Sequence, residues 1–184
     1  MIRFPFVLAC LAVMWCQRPQ DPDLLKTLPT SKVSLLDGVQ QLSKGSEVPI
    51  SAKFEIEDGV FQLSVYSAGK GVCEPADQNE LKEYAGDPTA ATWRPQAHVF
   101  SDVEHVARSA QQMTLLAVSP CTLLDVLAKA GKEQAGVVYS ITPILRDRKP
   151  RFRLLFADQG KTREAIYDAV TRDVVTPSDA GAKK

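Results

Sequence analysis

The chain reads as an α+β protein built from two tandem units, each a helix laid on an antiparallel sheet. Three observations predict this. The run Ser34-Leu35-Leu36-Asp37 returns as Thr122-Leu123-Leu124-Asp125: a hydroxyl, two leucines and an acid in the same order. Each copy is followed by apolar residues at helical spacing and then by period-two alternation, the mark of a strand with one wet face. Asp58-Gly59 separates two alternating runs, where a two-residue hairpin loop falls. Recurrence of this kind points to an internal duplication.

The elements follow in order. Ser34 as N-cap and Asp37 in the first turn open a helix carried by Leu35, Leu36, Val39 and Leu42 and ended by Gly45. Ile50, Ala52, Phe54 and Ile56 then alternate with Ser51, Lys53, Glu55 and Glu57. After the turn, Phe61, Leu63 and Val65 alternate with Gln62, Ser64 and Tyr66. Residues 67–100 are rich in Gly, Pro and polar side chains, and predict an irregular excursion with a short helix near Glu80 to Tyr84. Trp93 and Pro95 would anchor it.

Ser101-Asp102-Val103-Glu104 is a further capping box. It opens a helix with Val103, Val106, Ala107, Ala110, Met113 and Ala117 on the packed face, and His105, Arg108 and Gln112 on the wet one. Pro120 stops it. The second unit begins at the repeated cap, with Leu127 and Ala130 extending its helix. Val137, Tyr139 and Ile141 start a strand that reaches about Leu145. A charged turn, Arg146 to Pro150, leads to Phe152, Leu154 and Phe156. Asp158-Gln159-Gly160 turns again, and Ala165 to Val175 closes the sheet.

The first sixteen residues stand apart. Arg3 precedes an apolar run from Phe4 to Trp15, too short to span a bilayer, and a Pro-rich polar stretch follows. This is the layout of an export signal. Val7-Leu8-Ala9-Cys10 resembles a bacterial lipobox, and Cys16 is the alternative lipidation residue, better placed but preceded by Trp15. Acylation at either would hold the protein on a membrane without a spanning helix. The expected organisation is therefore a signal over 1–16, a tether over 17–30, a first unit over 31–100, a helix plus second unit over 101–176, and a disordered tail over 177–184.

The second unit resembles the PepSY domain family. In Ile166 to Val175, Asp168, Ala169 and Thr171 match the family's closing strand, and Arg172 stands where the family has glycine. A left-handed turn there would cost about 1 kcal/mol. The first unit, Val33 to Tyr66, is similar to the family's helix and opening hairpin, with Ala97 to Phe100 as one candidate for its closing strand. The tandem arrangement is similar to that of the β-lactamase inhibitory proteins. The resemblance implies a binding domain outside the cytoplasm with no catalytic residues or cofactor; in the family such domains hold thermolysin-like peptidases in check.

The side chains support no catalytic centre. Lysine plus arginine equals aspartate plus glutamate, 22 each, so no net field draws the chain to nucleic acid. His98 and His105, with Cys73 and Cys121, match no zinc spacing. No nucleophile elbow or phosphate loop occurs. In an exported chain Cys73 and Cys121 are candidates for one disulfide; otherwise Cys121 is a buried thiol and Cys73 a loop thiol.

The leading expectation is a non-enzymatic module that binds or inhibits an exported protein, a peptidase among the candidates. Its contacts would be the polar strand face of Lys53, Glu55, Gln62 and Ser64, and the basic turn of Arg146, Arg148, Lys149, Arg151 and Arg153. The basic turn could equally be plain solvated surface. The rival expectation is a lipoprotein that carries or senses a small molecule held between the units. An enzyme ranks third.

Overall fold

The computed structural model describes residues 22–45 and 47–175, and the fold is α+β. Capping groups decide where the duplicated helices begin. Ser34 accepts from the Asp37 amide at 3.1 Å while the Asp37 carboxylate accepts from the Ser34 amide, opening α2 (Leu35–Ser43). Thr122 and Asp125 repeat the exchange ahead of α4 (Leu123–Glu133). Each box satisfies two N–H groups that a helix start leaves without intrahelical partners. Leu35 and Val39 in one helix, and Leu123, Val126, Leu127 and Ala130 in the other, are then buried as a stripe.

Four strands follow α2, namely β1 (Val48–Glu57), β2 (Val60–Ala68), β3 (Leu81–Gly86) and β4 (Gln96–Val99), and three follow α4, namely β5 (Val137–Arg146), β6 (Lys149–Asp158) and β7 (Lys161–Asp168). They form one antiparallel sheet in the order β4-β3-β2-β1-β5-β6-β7. The units join through β1 and β5, where Ala52 lies opposite Ile141 and Lys53 opposite Ser140. Each contributes a helix and a three-strand meander, and the first unit adds β4 at the sheet edge. The duplication extends to an irregularity, since β1 is bulged between Pro49 and Ser51 and β5 between Val138 and Ser140. Each bulge sets one extra residue, Ile50 or Tyr139, against the partner strand and increases the local twist.

Alternation sorts the two faces of the sheet. Leu63 meets α2 so closely that a Cβ on Gly38 would lie 2.6 Å from its Cδ2, and α4 packs beside α2 on that face. Tyr66 points the other way. Its ring meets Phe100, which meets His105 of α3 (Val103–Ala117). Ser51, in register with Tyr66, donates to Gln112 of α3 at 3.1 Å. So α3 crosses the opposite face, over β1, β5 and β6.

The structure departs from the sequence reading in four places. Residues 67–100 carry β3 and β4, and the stretch read as a helix near Glu80 to Tyr84 is strand. The described part of the tether is a short helix α1 (Pro22–Thr27) and a 3-10 turn (Leu28–Thr30), with Leu28 buried in the core. α3 is capped by Asp102, one residue later than expected, and it packs through Ser109, Gln112, Met113 and Leu116 while Val103 is 84% exposed. Its partner is the polar sheet face, which matches small and polar side chains rather than the apolar stripe. Finally, β7 ends at Asp168. The chain then turns through Arg172 at φ 65° and returns only as a bridge between Tyr167 and Val174. The left-handed residue falls where the PepSY pattern has glycine.

Candidate functional site

Two places in this framework could hold another molecule. One is the polar sheet face beyond α3. Lys53 lies opposite Ser64 and Glu55 opposite Gln62, so the four residues grouped from sequence are neighbours. Two more join them, because Tyr66 lies opposite Glu83 on β3. Lys53 pairs with Glu55, and its ammonium sits 5.5 Å from the Tyr66 ring centre. Gln62 donates to Glu57 at 2.6 Å. Ser64 is fully buried under these side chains. Its hydroxyl, Glu55 Oε1 and Glu83 Oε1 are shut from water with no hydrogen-bond partner among the described residues. Burial, then the Glu83 and Glu55 charges and a hydrogen bond to the Glu83 carboxylate, push the Tyr66 phenol far above its ordinary range, so it stays protonated. Tyr66 was visible in the alternation of its strand; Glu83 was hidden by the helical reading of β3.

The other place is a cavity of about 290 Å³ where the units meet. α2 supplies Val39 and Ser43, the entry to β1 supplies Glu47 to Pro49, and the corner between α3 and α4 supplies Leu116, Ser119, Cys121 and Leu123. Its polar groups are already engaged. Ser43 donates to the Val39 carbonyl at 2.8 Å, Ser119 to the Ala169 carbonyl at 2.8 Å, and Thr122 to the Asp125 carboxylate at 2.8 Å. Glu47 accepts from Ser67 at 2.7 Å, Lys82 at 2.9 Å and Tyr84 at 3.0 Å. Burial pushes the Glu47 carboxyl up, but those three donors together hold it below the ordinary range. What is left for an occupant is an apolar wall. A 150 Å³ apolar cavity is roughly enough for benzene, so this one is about twice that.

The remaining predicted residues do not assemble into a site. Arg151 is buried and pairs with Asp168, whose other oxygen accepts from the Val170 and Thr171 amides at 2.8 and 3.1 Å. Arg146 reaches Glu164 at 3.6 Å, Arg148 and Lys149 are exposed at the turn, and Arg153 is half-buried on β6. The five cations are therefore divided between structure and solvent. Cys73 is exposed in the loop before β3 and Cys121 is buried, and both thiols are free, which corrects the disulfide expectation. Cys121 Sγ faces the Val170 carbonyl at 3.6 Å, and burial pushes its thiol pKa up. His98 is exposed on β4, and His105 bonds Asp102 at 2.8 Å. Among the described residues no group of His, Cys, Asp or Glu is placed to hold a metal, and no helix is long and apolar enough to cross a membrane. Cys10, Cys16, the signal and the tail lie outside the described residues.

No protein-family model matches the chain and no curated protein does, so the PepSY likeness rests on residue pattern alone. Among solved structures, the chain is similar to a candidate lipoprotein from Clostridium difficile 630. The identity is 15%, covering 79% of this chain and 92% of that one, with a TM-score of 0.41. At that score the likeness carries no functional argument.

Proposed function

We propose that the chain is a non-catalytic binding protein of the cell exterior that carries a small apolar molecule in the cavity between its units. The observation behind this reading is the cavity itself, apolar, at the junction of the duplicated units, with its polar groups satisfied internally. An occupant would cover apolar wall without stripping any group of its partner. At roughly 30 Å³ per water-sized heavy atom the space suits about ten carbon atoms. Ten buried methylenes at about 0.8 kcal/mol each exceed the lowest estimates of association cost by about 4 kcal/mol, giving binding in the millimolar range. Export rests on the layout of the first sixteen residues, and a lipid at Cys10 or Cys16 would keep the carrier at a membrane.

Cys121, in the cavity wall, provides the test. With 1-octanol as probe, labelling of Cys121 by a thiol reagent slows roughly tenfold or more, as expected when a site closes around a ligand. The exposed Cys73 reacts at its usual rate and serves as the internal control. Unchanged labelling of Cys121 at saturating octanol contradicts the reading.

A second reading, a module that meets and holds another exported protein, a peptidase among the candidates, is favoured by the polar sheet face. Three polar atoms there lie out of water with no hydrogen-bond partner among the described residues.

A further inference from the structure

The geometry points to a receptor for one arginine side chain of a protein partner on the polar sheet face, built from Glu55, Ser64 and Glu83. This rests on the second reading above and adds the chemistry the face would recognise. Glu55 Oε1, Ser64 Oγ and Glu83 Oε1 are buried polar atoms with no hydrogen-bond partner among the described residues, while the Glu83 carboxylate as a group is bonded by the Tyr66 phenol. Each such group is costly relative to a bonded one, more so where it is charged. Single cases are expected in any fold, but three on adjoining strands of one face leave hydrogen-bonding capacity unused in one place.

The register brings them together. Ser64 is two residues along β2 from Tyr66, and Tyr66 is opposite Glu83 on β3. On the other side Glu55 lies opposite Gln62, the next residue of that face on β2. Glu55 and Glu83 are thus the two diagonal neighbours of Ser64, at the roughly 7–8 Å cross-strand spacing that long side chains bridge. α3 crosses at the row of Ser51 and Tyr66, and the rows of Ser64 and Gln62 lie beyond it.

Charge and shape choose the occupant. Glu55, Glu57 and Glu83 set three carboxylates against one ammonium, Lys53, which is engaged with Glu55. The face therefore favours a cation. A lysine ammonium offers its donors from one point, whereas a guanidinium offers five in a flat fork that can reach separated acceptors. The Tyr66 ring adds a surface on which a planar cation stacks. At present Lys53 holds that place, so an incoming guanidinium has to displace it.

The probe is Nα-acetyl-arginine amide, followed by amide chemical shifts of the full chain at low salt, with the citrulline analogue as the uncharged isostere. The expected result is saturable shifts at Glu55, Ser64 and Glu83 with the arginine probe and none with citrulline. Glu83→Gln weakens the binding roughly tenfold, in line with loss of a charge-assisted bond. Lys53→Met strengthens it, because a competing cation is gone. That gain is one that a purely structural role for the face would not produce. No shift with arginine up to about 50 mM, weaker than any useful site, overturns the proposal; so does an equal response to citrulline or to Nα-acetyl-lysine amide, run as the compact cation. The probe carries no protein, so its failure removes the arginine site alone. The partner reading fails separately if a crosslinker at Gln62→Cys finds no protein neighbour in the cell envelope.

Discussion

Replacing Gly38 by alanine sets two effects of similar size against each other. Alanine in a helix interior gains about 1 kcal/mol over glycine. Against this, the new Cβ would lie 2.6 Å from Leu63 Cδ2 and 3.7 Å from Trp93 Cζ3. Leu63 is 0% exposed and Trp93 2%, so neither side chain can swing into solvent. Overpacking of this kind costs about 1–3 kcal/mol, which leaves Gly38→Ala between neutral and about 2 kcal/mol less stable. Gly131 in α4 is the control, because a Cβ there meets nothing within 4 Å. Gly131→Ala keeps the helical gain of about 1 kcal/mol. Urea unfolding of both variants isolates the clash as the difference between midpoints at equal slope. If Gly38→Ala proves as stabilising as Gly131→Ala, α2 does not press on β2 as described.

Three further outcomes follow. Asp168→Ala strands the buried Arg151 and frees two backbone amides, and is expected to cost about 2–3 kcal/mol, less than a fully buried pair because Asp168 keeps some solvent contact. A loss under about 0.5 kcal/mol on chemical unfolding would contradict the pairing. Glu47→Gln is expected to lose about 2 kcal/mol at neutral pH through its charge-assisted bonds. Because the folded carboxyl titrates below its ordinary 4.5, this stabilisation is complete above that value and lost as pH falls through the folded pKa. Wild type and variant should therefore converge in acid, and a difference that persists there would refute it. Arg148→Gly relieves a left-handed residue at φ 60° in the β5–β6 turn and should raise stability by about 1 kcal/mol. A thermal midpoint that falls instead would show that the arginine side chain holds the turn.

What sequence could show was local. Both capping boxes and the Asp58-Gly59 turn depend on residues within a few positions, and the repeated cap exposed the duplication before any contact was known. β3 escaped because its inward groups are polar. Lys82 and Tyr84 are satisfied by Glu47, which lies 35 and 37 residues away, so their strand shows no apolar alternation. The packed side of α3 was misplaced for a related reason. Its Ser109 and Gln112 face a polar sheet surface whose existence no single helix reveals. The four polar-face residues were legible through alternation, whereas the unpartnered atoms of Glu55, Ser64 and Glu83 come together only where three strands meet. The cavity was invisible, since Val39, Pro49, Leu116 and Cys121 become neighbours only when the two units close on each other.

An apolar ligand in the junction cavity would lie against Leu116 and Leu123. Its binding is tested most directly by methyl chemical shifts of Leu116 and Leu123 during titration with 1-octanol, in wild type and in Leu124→Trp, whose indole would fill space from the cavity wall. Saturable shifts of both leucines are expected in wild type, and their loss in a Leu124→Trp protein that keeps the amide spectrum of the fold. Shifts that grow linearly without saturation in wild type, or that saturate equally in Leu124→Trp, would contradict binding in the cavity.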